Sequence, residues 1–488
     1  MNSPIFQINP ADNVAVALRA LNAGECGAIE PIPAGHKLAL RDIAPGENII
    51  KYGFPIGHAT RPIARGEWVH VHNVHTNLDG QLEYKYSPVP VAPLPNLTPR
   101  TFMGYERAAG RVGIRNEVWI IPTVGCVNGI VRALSRDAQA LLRPGIDCIT
   151  AYAHPYGCSQ MGDDLVRTRE ALLALMRHPN AGGVLVVGLG CETNRLSDIA
   201  SALSDADKQH IRFMNCQDEP DEHARGMELL SELIEQAAQA RRTPVDAGRL
   251  VIGLKCGGSD GYSGITANPV AGALSDRVIA LGGSAVLTEV PEMFGAEQLL
   301  MNRCVDEATF ERTVRLINDF KQYFQSNGQV IYENPSPGNK DGGITTLEDK
   351  SLGCTQKGGS AQVVDVLDYA QSVRKPGLTL LSAPGNDLVS ATALAMAGAQ
   401  LVLFTTGRGT PFTCPVPTLK ISTNPVLSAR KGGWIDFNAG RMLDGMSRDK
   451  LADDLLELVL NVASGTRHTR SEALDKSDLA IFKTGVTV

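Results

Sequence analysis

The chain lacks most of the features that place a protein in a specialised class. Its 46 lysines and arginines are outnumbered by 52 aspartates and glutamates, for a net charge of −6. No basic stripe interleaved with aromatics appears, which argues against nucleic acid as a partner. No apolar stretch approaches the roughly eighteen residues that a membrane span needs. Met1-Asn2-Ser3-Pro4 carries no basic region ahead of an apolar run, so no secretory signal is expected. No Cys-x-x-Cys pair occurs, which weakens a thiol-redox role. No Gly-x-Gly-x-x-Gly opens a helix after a strand and no Walker-type Gly-Lys-Ser/Thr is present, so no nucleotide cofactor is expected. A serine nucleophile elbow is missing too. The ten cysteines lack the dense spacing of a secreted disulfide scaffold and suit a reducing, cytoplasmic setting.

At 488 residues the chain exceeds what one core supports, so several domains are expected. Residues 1–77 hold short alternating segments and turns, among them Gly35-His36-Lys37 and Lys51-Tyr52-Gly53, and read as a small all-β unit. Residues 78–104 centre on Ser87-Pro88-Val89-Pro90-Val91-Ala92-Pro93-Leu94-Pro95. Proline at alternate positions forbids helix and central strand, so this is an extended linker. From 105 to 248 apolar runs alternate with helical patterns, and Arg241–Gly248 reads as a connector. A second α/β region spans 249–488, with strands expected near 250–254, 284–288, 362–366, 378–382, 400–404 and 418–421. The fold class is α/β: mostly parallel sheets with helices on both faces, behind a small β domain.

Four apolar runs each stop at a glycine-flanked cysteine: Cys126, Cys158, Cys191 and Cys256. In open α/β sheets the ligand crevice lies beyond the carboxyl ends of the strands. Thiols there suit soft-metal chemistry, although a single cysteine is as readily a small buried hydrophobe. Cys256-Gly257-Gly258-Ser259-Asp260 follows a strand directly, and Glu289 and Glu292 end the next. Asp260, Glu289 and Glu292 offer harder ligands. Residues 333–343, rich in proline and glycine, are expected to form an irregular functional loop carrying Asn339 and Lys340. Arg408, between glycines, is placed to grip a carboxylate, with Thr410 beside it. His70 and His72 would share one face of a strand.

These strings resemble the altronate/galactarate dehydratase family nearly end to end. The resemblance is carried by Gly35-His36-Lys37, Lys51-Tyr52-Gly53-Phe54-Pro55-Ile56-Gly57, Pro122–Gly129, Tyr156-Gly157-Cys158-Ser159-Gln160, Gly188–Glu192, Cys256–Asp260, Glu333–Lys340 and Thr405–Pro411. Val69–Asn73 and Glu289–Gln298 resemble the altronate branch. Phe412-Thr413-Cys414-Pro415 departs from the aromatic-then-glycine that the family commonly has there. The resemblance implies an N-terminal β-clip domain of the SAF type, a middle α/β domain that forms a homodimer, and a C-terminal Rossmann-like variant. It also implies iron dependence, as Fe(2+) or an iron–sulfur cluster with Mn(2+) as a substitute, and dehydration of a sugar acid, D-altronate giving 2-keto-3-deoxy-D-gluconate. On this reading the thiolates Cys126, Cys158, Cys191 and Cys256, or the carboxylates, hold the metal. Proton transfer falls to His36, His72 or Lys340, and Ser259, Asn268, Asn339, Arg408 and Thr410 hold the substrate. The rivals are a lyase of the same family acting on galactarate or sulfolactate, and a non-catalytic binding or assembly protein.

Overall fold

The computed structural model describes residues 3–485; the first two and last three residues, including the start of the expected signal-free N-terminus and the end of the 249–488 region, lie outside the described residues. The N-terminal unit is built of two antiparallel sheets. One contains Ile5–Phe6, Val14–Ala17, Lys37–Ala39 and Trp68–Val69, the other Asn48–Lys51, Phe54–Ala59 and Val74–His75. Tyr52 and Gly53, both at positive φ, make the two-residue turn between Asn48–Lys51 and Phe54–Ala59. Two such residues match the right-handed twist of a hairpin.

The strand expected through His70 and His72 stops at Val69, and residues 71–73 form a turn. His70 is buried and His72 exposed, so the two do not share a face. Asn73 causes this: its side chain accepts from the His70 N–H at 2.9 Å and donates to the Trp68 carbonyl at 2.8 Å, closing the chain on itself.

Residues 78–100 are without regular structure, as the prolines require, but they are not free of the body. Tyr84 hydrogen-bonds Glu297, and Tyr86 packs on Phe310. The expected connector at 241–248 contains a strand, Thr243–Asp246, paired antiparallel with Thr101–Glu106. The two segments flank the middle unit and close it at its base.

The middle sheet is wholly parallel, in the order Ile149–Ala151, Glu117–Pro122, Ala181–Gly188, Ile211–Asn215. Both faces are apolar, as a buried parallel sheet requires. Val118, Ile120, Leu185 and Val187 pack on helices Asn128–Ala138 and Glu222–Ala237. Trp119, Ile121, Val184 and Val186 face Gly162–Met176 and, from the C-terminal unit, Asp387–Met396. The two α/β units therefore share one apolar layer.

The C-terminal sheet has seven parallel strands, in the order Val363–Leu367, Gly377–Leu381, Ser284–Leu287, Val251–Cys256, Leu401–Thr406, Thr418–Ser422 and Phe437–Asn438. From the 251–256 strand the chain steps outward one way, then returns to add 401–406 on the other side. This reversal makes a switch point between 251–256 and 401–406, where such sheets open a crevice. No helix among the described residues is long and apolar enough to cross a membrane.

Candidate active site

The loops at this switch point are tied across it. Gly257 N–H donates to the Thr405 carbonyl at 3.1 Å, and the N–H groups of Gly407 and Arg408 both reach the Gly258 carbonyl, at 3.0 and 2.9 Å. Gly407 is obligatory, because a Cβ there would lie 2.1 Å from the Asp260 carboxyl carbon.

Behind this junction lies a closed knot of charge. Cys256 Sγ and Cys354 Sγ are 3.4 Å apart, and each lies 3.2 Å from Glu292 Oε2. Among the described residues these three are the only His, Cys, Asp or Glu group whose ligand atoms approach one another closely enough to share an ion. Lys350 Nζ donates to Glu292 at 2.7 Å, Asn334 at 3.0 Å and Asn339 at 3.2 Å. Lys255 Nζ reaches Glu289 at 2.5 Å, Asp387 at 2.8 Å and the Cys256 carbonyl at 3.3 Å. Three acceptors around one nitrogen are what an ammonium, with three donors and no acceptor, requires. Lys357 donates to Glu289 at 3.1 Å.

The charges decide what this knot can hold. Three ammonium groups, Lys255, Lys350 and Lys357, face three carboxylates, Glu289, Glu292 and Asp387. With both thiols protonated the knot is neutral, and it stays neutral if a divalent cation replaces the two thiol protons. Burial can accommodate that exchange, whereas an added net charge would be costly. Burial would raise the Glu292 carboxyl, but Lys350, Lys357 and Lys255 overcome this and bring it down to about 2. The hydrogen bond from Cys256 and burial push the Cys354 thiol well up. Tetrahedral thiolates on a first-row ion sit about 3.7 Å apart, so the three donors need open only slightly. The residues fit a soft divalent ion.

Glu289 is held at φ 64°. A left-handed conformation at a non-glycine residue persists only where its surroundings fix it. Here the fixing contacts are Lys255, Lys357 and the Cys256 N–H, which donates to Glu289 at 3.0 Å. Both oxygens are engaged, so Glu289 orders the lysines and is not the metal ligand expected of it. Asp260 is likewise corrected. Its carboxylate accepts from Thr423, Asn424, Ser263 and the Tyr262 N–H, and burial pushes it up. Asn268 is fully buried, its Oδ1 accepting from Thr405 and its Nδ2 donating to the Gly353 carbonyl, which makes it a tie between the two loops.

Ser259 keeps its expected place. Its Oγ is buried without a partner among the described residues and lines a small cavity with Tyr52, Lys350 and Cys354. Asn339 anchors Lys350 and the Ser259 carbonyl. It sits on a short helix, Pro337–Asp341, where an irregular loop was expected; Ser336 caps it and proline takes the first helical position. Lys340 is half-buried on the same helix. Arg408 is exposed at the rim, with Gly338 beneath its guanidinium, and Thr410 is half-buried next to it.

His36 cannot be the base. Trp68 Nε1 donates to its Nδ1 at 3.2 Å and its Nε2 meets the Asp341 carbonyl at 3.2 Å, so both nitrogens are committed. His72 is exposed on its turn beside Trp68. What the N-terminal unit does supply is a clamp. Lys37 and Lys51 both reach Asp349 at 2.8 Å, all three buried, and Thr346 Oγ1 donates to the Ile56 carbonyl. This clamp holds the start of helix Leu347–Cys354, whose far end carries Cys354.

Cys126, Cys158 and Cys191 do not join Cys256. All three are exposed and lie at the carboxyl edge of the middle sheet. The four-thiol cavity is therefore split in two, because the cysteines end strands of different sheets. The residues missed from sequence are Cys354, Lys255 and Lys357; Lys350, which from sequence could hold a substrate carboxylate or be an ordinary surface lysine, is buried against Glu292. A signal was present: positions 350 and 354 are four apart and share a face of helix Leu347–Cys354, and Lys357 follows in the 3-10 turn Thr355–Gly358.

With this geometry in place, the similarity to known proteins has a physical meaning. Family profiles match residues 3–77 (Altronate/galactarate dehydratase SAF domain), 104–238 (D-galactarate dehydratase/Altronate hydrolase, second domain) and 247–487 (D-galactarate/Altronate dehydratase, C-terminal). The chain is 52% identical to altronate dehydratase of Escherichia coli (strain K12) over 99% of both chains. It is 51% identical to altronate dehydratase of Bacillus subtilis (strain 168), again over 99% of both. Galactarate dehydratase (L-threo-forming) of Escherichia coli (strain K12) is 33% identical over 98% of this chain and 96% of that one. The chain belongs to the altronate/galactarate dehydratase family.

Proposed function

We propose that this chain is a hydro-lyase that removes water from a sugar acid, converting D-altronate to 2-keto-3-deoxy-D-gluconate. The observation that carries the reading is the pocket of three buried ammonium groups around a two-thiol, one-carboxylate ligand set, at the sheet's switch point. Loss of the proton next to a carboxylate creates a dianion that water stabilises poorly. Fixed positive charge in a dry site stabilises it much better.

Cys256, Glu292 and Cys354 would hold a soft divalent ion, ferrous iron in this reading. Once bound, it would supply Lewis acidity at the substrate oxygens. Lys350, fixed by Glu292, Asn334 and Asn339, faces the developing negative charge. The Ser259 hydroxyl, with no partner among the described residues, is placed to hydrogen-bond a substrate hydroxyl. Arg408 at the rim takes the carboxylate as a bidentate partner. With both nitrogens of His36 engaged, the C2 proton passes to Lys340, half-buried on the Asn339 helix.

The test is anaerobic turnover of D-altronate with and without ferrous iron, following the 2-keto product. Iron-stimulated product is expected; absence of any keto acid from altronate in a panel that includes galactarate and sulfolactate would overturn the substrate assignment. Replacing Lys340 with alanine lowers kcat by about two to four orders of magnitude if it is the proton carrier. An unchanged rate removes it from that role.

A further inference from the structure

A cleft of about 560 Å³ opens at the other end of the C-terminal sheet from the active site. Val251, Ser284, Pro376 and Gln400 line it, at the amino ends of four adjacent strands. One of these, Val251–Cys256, runs from the cleft to the buried Cys256, a span of roughly 17 Å at the usual rise per residue. The facing wall comes from the middle unit: Arg111, Arg177 at the end of helix Gly162–Met176, and Asp207. The cleft is therefore a seam between the two α/β units. Such seams are common places for small-molecule sites, and the volume suits one.

Its charge is one-sided. Arg111, Arg177, Arg249, Arg374 and Lys375 line it against a single carboxylate, Asp207. Five cations and one anion leave an excess of four positive charges, on a chain whose net charge is −6. His178, also in the lining, adds none. Its Nδ1 accepts the Asn180 N–H at 3.1 Å, its Nε2 meets the Ala399 carbonyl at 3.2 Å, and burial lowers it to about 4.

The carboxylates in reach are already shared. Asp207 lies 2.5 Å from Arg111 and 3.4 Å from Arg177. Asp365, outside the lining, is 3.3 Å from Arg374 but also 2.7 Å from Arg312. Arg249 donates to the Gly110 carbonyl, a neutral partner. Arginines that served only to join the two units would end in neutralised pairs; here the pairs cancel fewer charges than the cleft holds. Charge of one sign in a concavity focuses its field on an incoming counter-ion.

A second observation points the same way. Arg111 is held by the Arg177 carbonyl at 2.6 Å and by Asp207, yet its Nε is buried with no partner among the described residues. A donor of a charged group left without an acceptor is costly. Guanidinium forks match the oxygens of phosphate and carboxylate. Buried Met396 and Ala397 line the same cleft and offer an apolar surface to a carbon skeleton.

We propose that this cleft binds a small organic anion with two or more negative charges, a phosphate ester or a polycarboxylate, across the seam between the α/β units. The excess of positive charge favours such a ligand over a sugar acid with one carboxylate. The site is separate from the Cys256–Glu292–Cys354 knot, and the inference rests on neither the sugar acid nor the metal.

The test is calorimetric titration of the full-length protein with fructose bisphosphate and, in parallel, with tricarballylate, at fixed ionic strength. Binding of one molecule per chain is expected. Fructose bisphosphate alone identifies a phosphate-ester site, and tricarballylate alone a polycarboxylate site. Arg374→Ala and Lys375→Ala, at exposed positions, should each weaken binding about tenfold, the loss of one charge-assisted contact, with turnover of D-altronate unchanged. Arg408→Ala, at the active-site rim, should leave the affinity as it is. Failure of both anions to bind, or wild-type affinity in the two cleft variants, overturns the proposal. So does binding lost only in Arg408→Ala, which would move the anion to the active site. Sodium sulfate bound as tightly as the organic anions would reduce the cleft to general screening and overturn it as well.

Discussion

Two sheet edges in this molecule obey one rule and arrive at opposite environments. Both present cysteines beyond the carboxyl ends of parallel strands. At the middle edge the thiols are exposed and held in place by backbone hydrogen bonds. At the C-terminal edge Cys256 and Cys354 are buried among lysines and carboxylates, with the N-terminal domain clamped over the segment that leads to Cys354. The difference is the cover. A strand end gives a place for chemistry; burial and counter-charge decide which chemistry it is.

The comparison can be broken first at the buried edge. Cys354→Ser should abolish tight binding of one ferrous ion and lower turnover by about 10³ or more, read by metal analysis beside the keto-acid assay. If iron stays bound, Cys354 is not a ligand. Removing the cover comes next. Asp349→Asn leaves two buried ammonium groups without their carboxylate and should cost about 3–5 kcal/mol, read by urea unfolding. An effect below about 1 kcal/mol would mean that Lys37 and Lys51 find other partners. Lys350→Met should lower kcat by about 10²–10³ and, because it leaves the buried Glu292 carboxylate without this ammonium, lower the melting temperature as well; a pure rise in KM would make Lys350 a substrate anchor only.

The smallest effect is in the pH profile. Burial, then the nearby charge of Lys37, lowers the His70 pKa from 6.5 to about 3. The unfolded chain therefore binds a proton that the folded chain refuses, and stability falls as pH drops below 6.5 until about 3 is reached. Below the ordinary carboxylate range Asp349, held down by Lys37 and Lys51 against its burial, adds to the loss in the same direction. Burial also lowers His154, His178 and His210 to about 4, so they share this window; His70→Phe should make the fall in melting temperature between pH 6.5 and 4 shallower without abolishing it, and an unchanged slope would assign the loss to those three histidines.

Much of this was legible in the chain. The apolar runs marked the parallel strands because a doubly covered sheet needs them, and Cys256, Glu292, Ser259 and Arg408 were visible as strand-end residues. The partition of the four thiols was not, since which strands share a sheet is set by long-range packing. Cys354 and its lysines escaped because they ride on a helix whose two neighbouring turns meet the sheet edge only in three dimensions. His36 looked like a base in sequence, and only the Trp68 N–H aimed at its ring shows otherwise.

Two sulfur atoms in van der Waals contact have a practical consequence. While an ion occupies the site, each thiolate is shielded by its bond to the metal. Once the ion leaves in air, the two are already neighbours, and cystine formation needs little movement of the backbone. Aerobic inactivation should therefore be reversible: a dithiol reductant followed by iron restores activity, whereas iron alone does not.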